Sequence, residues 1–73
     1  MIEYLPAFLA VCEAGGFRRA AERLHRSQPA VSYQIRMLEA AVQVRLFERT
    51  HRGVVLTEEG KLLRDFSRRT LLD

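Results

Sequence analysis

A mainly α winged helix-turn-helix domain is the fold class this sequence predicts, and three observations predict it. Two apolar stripes at helical spacing flank a tight polar corner: Phe17, Ala20, Ala21 and Leu24 at i, i+3, i+4, i+7, then Val31, Ile35, Leu38 and Val42 at i, i+4, i+7, i+11. Between them His25-Arg26-Ser27 leaves room only for a sharp turn, the plan in which the second of two helices is offered to a DNA major groove. Downstream, two short β-prone runs enclose a turn containing Gly53 and give way to a further helical pattern.

Each element follows in order. Tyr4 to Ala14 reads as a helix with Leu5, Phe8, Leu9 and Cys12 inward; it starts close to Pro6, because proline is tolerated only in a first turn. Gly15-Gly16 ends it. The second helix runs from about Phe17 to His25. The third runs from Gln28 to about Val42, with Ser27 as N-cap and Pro29 in its first turn. These three helices enclose a small core. Val44, Leu46 and Phe47, then Val54-Val55-Leu56, form a hairpin wing over about 47–56. A two-stranded hairpin is marginal alone, so it is expected to pack on the helices through Leu46, Phe47 and Leu56. Thr57 caps a fourth helix, with Glu58 and Glu59 in the first turn where negative charge suits the helix dipole. Its apolar positions are Leu62, Leu63, Phe66 and Leu71, read as a pairing surface. No stop signal precedes Asp73, so a helix cut short is expected. The organisation is thus 1–58 winged helix-turn-helix, with the helix-turn-helix at about 17–36, and 59–73 the start of a linker or dimerisation helix.

Seventy-three residues make one small domain, of a size that buries only about 60% of its unfolded surface. At 48% hydrophobic and 29% charged it has an ordinary globular composition. No apolar run approaches the roughly 18 residues of a membrane span, and no signal-peptide layout opens the chain. Cys12, the single cysteine, falls among Leu5, Phe8, Leu9 and Val11 and reads as a small core residue; a reducing cytoplasm is expected. The net charge of +3 is unevenly spread. Residues 1–16 hold Glu3 and Glu13, whereas residues 17–52 hold eight arginines against three glutamates, a net of +5, and residues 53–73 balance. The positive block coincides with the helix-turn-helix and wing, as expected of a surface meeting phosphates.

The third helix offers Gln28, Ser32 and Arg36 at i, i+4, i+8 opposite its core stripe, flanked by Tyr33. Gln bonds adenine bidentately, Ser bonds bases or phosphate, and Arg reads guanine or clamps a phosphate. Pro29 and Ala30 suit a thymine methyl. The expected base readers are therefore Gln28, Pro29, Ala30, Ser32 and Tyr33. The expected backbone clamp is Arg18, Arg19, Ser27, Arg36, Arg49, Thr50 and Arg52. Arg18 and Arg19 open a helix N-terminus, and His51 shares the wing turn. A triad of Ser32, His25 and Asp65, or a metal site of Cys12, His25 and His51, lacks supporting spacing, so no enzyme, metal or cofactor is expected. Phe8, Phe17, Phe47 and Phe66 sit at core-like positions, leaving Tyr33 as the exposed ring; that favours duplex DNA over single-stranded RNA. The alternative is a helical protein-interaction or dimerisation module built on the fourth helix.

The runs AAERLHRSQPAVSYQIRMLE and VRLFERTHRGVVLTEEG resemble the N-terminal domain of LysR-type transcriptional regulators, from Leu5 to about Gly60. The resemblance implies an operator-reading third helix, a linker helix pairing two subunits, and a separate C-terminal effector-binding domain. By position Gln28, Pro29, Ser32, Tyr33 and Arg36 match the reading helix, and Arg49 and Arg52 match the wing contacts. Two copies on an interrupted inverted repeat are expected, as a homodimer or larger homo-oligomer, with any small-molecule effector acting through the further domain. Gly16 stands where the family usually has Ser, which weakens a cap by a few tenths of a kcal/mol. Arg26 replaces a frequent apolar residue and adds a phosphate-reaching charge. Tyr33 occupies a variable position.

Overall fold

The computed structural model describes Ile2–Leu72, with the side chains of Leu71 and Leu72 outside that description. A 3-10 turn, Ile2–Tyr4, leads into α1 (Leu5–Ala14), followed by α2 (Phe17–Leu24), α3 (Gln28–Val42), β1 (Phe47–Thr50), β2 (Gly53–Leu56) and α4 (Glu58–Leu72). The mainly α winged helix-turn-helix expected from the sequence is the fold observed.

Local chemistry sets the helix ends. Pro6 lies in the first turn of α1, and Gly15 closes that helix in the left-handed region (φ 79°), its N–H bonded to the Val11 carbonyl at 2.9 Å. α2 ends one residue earlier than expected. His25 takes a left-handed conformation (φ 56°) and donates its N–H to the Glu22 carbonyl at 3.3 Å, while Arg26 N–H reaches the Ala21 carbonyl at 3.0 Å. These paired bonds satisfy the last carbonyls of α2 and turn the chain through the corner. Ser27 then caps α3, its Oγ accepting from the Ala30 N–H at 3.2 Å.

The core is built around α1, which touches α2, α3 and α4. Leu5, Phe8 and Leu9 are buried as expected, but so are Ala7, Ala10, Val11 and Ala14, because α2, α3 and α4 all pack on this helix. A helix apolar nearly all round is a helix buried nearly all round. Cys12 is half-buried instead of inward, and burial pushes its thiol up to about 11, which keeps it a protonated, unreactive thiol at neutral pH. Leu24 and Val42 are also half-buried, packed against the core from the ends of their stripes; Val31, Ile35 and Leu38 are buried.

The hairpin is antiparallel, with Phe47 opposite Leu56 and Thr50 opposite Gly53. Val44, expected in the first β run, lies before the strand and is 38% exposed; α3 has only just closed at Gln43, whose left-handed φ of 61° redirects the chain. Leu46 and Phe47 are buried and dock the wing as expected, with Leu56 half-buried beside them. The Phe47 ring packs 5.4 Å from Phe8 and edge-on to Phe17 at 6.0 Å.

Thr57 caps α4 as expected, its Oγ1 accepting from the Gly60 N–H at 3.0 Å and donating to the Arg45 carbonyl at 2.7 Å. The inward face of α4 differs from the sequence reading. Gly60 and Ser67 are buried and Leu63 is half-buried against the core, an inward stripe at i, i+3, i+7. Among the described residues the buried Ser67 hydroxyl meets no hydrogen-bond partner. Phe66, expected in the core, is 50% exposed, and Leu62 is 72% exposed. The four apolar positions read as one pairing surface are therefore split. Leu62 and Phe66 face outward, Leu63 turns toward the core, and the side chain of Leu71 lies outside the described residues.

Of the four glycines, Gly60 lies closest to its neighbours. A Cβ there would collide with the Leu46 carbonyl oxygen and come within 2.8 Å of Leu56 Cδ2. That carbonyl is pinned by the Thr57 N–H at 3.0 Å, so it has little freedom to retreat. Gly60→Ala gains about 1 kcal/mol of helix propensity but overpacks by about 3 kcal/mol, a net loss near 2 kcal/mol. The melting temperature should fall by roughly 10 °C. A rise would show that α4 shifts freely on the wing root.

Candidate nucleic-acid interface

α3 is a 15-residue helix that exposes one long side to solvent. Gln28, Pro29 and Tyr33 are exposed, with Tyr33 53% accessible, and Ala30 is half-buried. Ser32 is half-buried and does not lie on the outermost line of the helix. It sits with Arg36 and Glu39 along one wall of a cleft of about 340 Å³ whose other wall is Arg45, Phe47 and Arg49. The outermost line instead runs through Pro29, Tyr33, Met37 and Ala40, all exposed. The periodicity of a single stripe locates the core face of α3 but not the wing flanking it, so the sequence places Ser32 on the polar face while the fold half-buries it.

The eight arginines of residues 17–52 divide by partner. Arg18 pairs with Glu22 one turn on, at 3.6 Å between exposed side chains, and Arg45 lies 3.8 Å from Glu39. The Arg49 guanidinium rests over the Phe17 ring, 4.7 Å from its centroid, a cation–π contact tying β1 to the start of α2. Among the described residues, Arg19, Arg23, Arg26, Arg36 and Arg52 are exposed and make no ion pair or side-chain hydrogen bond. These five carry uncompensated positive charge along α2, the corner, α3 and the wing tip. Such charge is what a polyanion with regularly spaced phosphates attracts.

The expected clamp is thus partly committed to the protein itself. The Thr50 Oγ1 accepts from the Arg52 N–H at 3.1 Å and lies 3.4 Å from the Gly53 carbonyl, stiffening the wing turn. Gly53 has φ 126°, open only to glycine at low cost, and permits the two-residue His51-Arg52 loop. Ser27 spends its hydroxyl on the α3 cap. Arg23 is a free cation that was counted in the basic block but not placed in the clamp. Glu39 and Gly60 were missed altogether; the only sequence signal for either is polarity or smallness at a position inside an otherwise apolar helical stripe. Among the described residues no group of three His, Cys, Asp or Glu side chains is arranged to hold a metal ion, and no helix is long and apolar enough to cross a membrane.

Comparison with known proteins agrees with this geometry. The family model for bacterial regulatory helix-turn-helix proteins of the lysR family matches residues 2–61. Over 70 residues, 96% of this chain, the sequence is 51% identical to the HTH-type transcriptional regulator TfdT of Cupriavidus pinatubonensis, of whose length the chain spans 31%. The fold superposes on a crystal structure of the CbnR DNA-binding domain in complex with DNA with a TM-score of 0.91, at 45% identity over 97% of this chain and 82% of that one. It superposes on the BenM DNA-binding domain in complex with catB site 1 DNA with a TM-score of 0.92, at 35% identity over 97% of this chain and 80% of that one.

Proposed function

The chain belongs to the LysR family of bacterial regulatory helix-turn-helix proteins, and we propose that it binds duplex DNA with sequence preference, α3 lying in a major groove and the wing on the flanking backbone. One observation carries this reading: among the described residues, five arginines without side-chain partners lie on and around an exposed helix whose side chains suit base edges. A major groove about 12 Å wide admits one α-helix. Gln28, Pro29, Ala30, Ser32 and Tyr33 are assigned to base edges, Gln28 to an adenine and Pro29 and Ala30 to thymine methyls. Arg19, Arg36 and Arg52 are assigned to phosphates as free cations, with Arg23 and Arg26 added to them. Arg18, Ser27, Arg49 and Thr50 are assigned to the same backbone surface, after giving part of their capacity to internal contacts.

The relatives are named as transcriptional regulators, and no catalytic step is assigned. Residues 1–58 are assigned to DNA binding and 59–73 to the start of a linker helix. Leu62 and Phe66, exposed on α4, favour pairing with a second copy, so that two α3 helices meet an interrupted inverted repeat. A small-molecule effector is assigned to the part of such a regulator beyond this domain, acting in the cytoplasm. The exposed α4 face also supports the alternative, an interaction module without sequence-specific DNA binding.

Selection from a random-sequence duplex library at two salt concentrations tests this. Enrichment of a half-site pair is expected, and Gln28→Ala should lose about 1–3 kcal/mol at one base pair while leaving the others as selective as before. Retention without enrichment would remove the base-reading assignment. No retention at either salt concentration would leave the interaction module.

A further inference from the structure

We propose that Glu39 is a positioning residue for DNA binding: it fixes the wing relative to α3 without touching DNA. The proposal rests on the DNA-binding reading above and adds a residue which that reading does not use. Glu39 lies on α3 one turn beyond Ile35, and its side chain is only 17% exposed. Its Oε2 accepts the Leu46 N–H at 2.7 Å and the Phe47 N–H at 3.3 Å, and stands 3.8 Å from Arg45 Nε. One carboxylate oxygen of the reading helix therefore holds two successive backbone donors at the root of β1.

The wing needs such an anchor. Between Gln43, which closes α3, and Phe47 the chain has no regular structure. The bond from the Thr57 N–H to the Leu46 carbonyl makes Phe47 and Leu56 a non-hydrogen-bonded pair, so the Phe47 N–H points away from β2. With one partner strand in the sheet, that donor and the Leu46 N–H find their acceptor in Glu39. A charged acceptor in a sheltered site forms bonds roughly twice as strong as a neutral one. Arg52, at the wing tip, is thereby held at a set reach from Gln28 and Arg36 on α3. Loosening the anchor leaves both elements folded but lets the tip wander.

Glu39→Gln tests this, because it keeps the shape and replaces the charged acceptor with a neutral one. Amide hydrogen exchange at Leu46 and Phe47 should accelerate about tenfold while the α3 amides stay protected. On a random-sequence duplex, the slope of log K against log salt should shrink by about one, as for Arg52→Ala. The double variant should lose no more than Arg52→Ala alone. Additive losses, or an unchanged slope in a protein with accelerated exchange, would overturn the proposal and leave Glu39 a purely structural residue. Unchanged exchange would overturn it as well. If Glu39→Gln melts too low, Glu39→Asp, whose shorter reach loses at least one donor, is measured in the same way. A wild-type protein with no salt-dependent binding, or one indifferent to Arg52→Ala, would refute the DNA reading instead, and the exchange rates alone would then decide whether Glu39 anchors the wing.

Discussion

Phe47→Ala should destabilise the domain by about 3–5 kcal/mol, the range for removing a buried aromatic ring. A chain of this length is stable by roughly 4–11 kcal/mol in all, so the loss takes a large share of the total. The ring is 4% exposed and packs against Phe8 of α1 and Phe17 of α2, making it the apolar contact through which the first strand joins the helical core. Phe17 also carries the Arg49 guanidinium, so the loss propagates to a second wing contact. Thermal and urea denaturation followed by circular dichroism should show a midpoint lower by more than roughly 12 °C. Phe47→Leu, which keeps most of the volume, should recover much of the difference. An unchanged midpoint for Phe47→Ala would mean that the wing docks through Leu46 and Leu56 alone.

The helices were legible because their signals are local. Pro6, Gly15, Ser27, Pro29 and Thr57 each act on the backbone within a few residues, and the stripes of α2 and α3 repeat at the helical period. What the sequence hid depends on a second element arriving from far along the chain. The joint packing of α2, α3 and α4 on α1 buried Ala7, Ala10 and Val11, which a one-sided amphipathic pattern leaves unassigned. Close approach also selected Gly60, against Leu46 and Leu56 at the wing root, and Ser67 over Phe66 as inward residues of α4, since it favours small side chains whatever their polarity. Glu39 was hidden for a similar reason. A charged residue on α3 reads as solvated until a loop seven residues later presents two N–H groups to it. In the candidate site, the exposure of Gln28, Pro29 and Tyr33 followed from the stripe opposite them. Which arginines remain free did not, because Phe17 and Glu39 meet Arg49 and Arg45 only through folded geometry.

The division of the arginines yields the second large effect. Binding to a random-sequence duplex should weaken with salt at a slope of about −4.5 per subunit, if Arg19, Arg23, Arg26, Arg36 and Arg52 each displace one counterion. Raising salt from 50 to 200 mM should then cost roughly 500-fold in affinity, measured by fluorescence anisotropy. The individual residues should not be equivalent. Arg52→Ala, which removes a free cation, should reduce the slope by about one on every sequence alike. Arg18→Ala should reduce it less than Arg19→Ala, because Arg18 is already partly neutralised by Glu22 one turn away. Equal effects at positions 18 and 19 would show that the ion pair yields to DNA and that the free-arginine count understates the clamp. A slope near zero would mean that the positive block is only a solvated face.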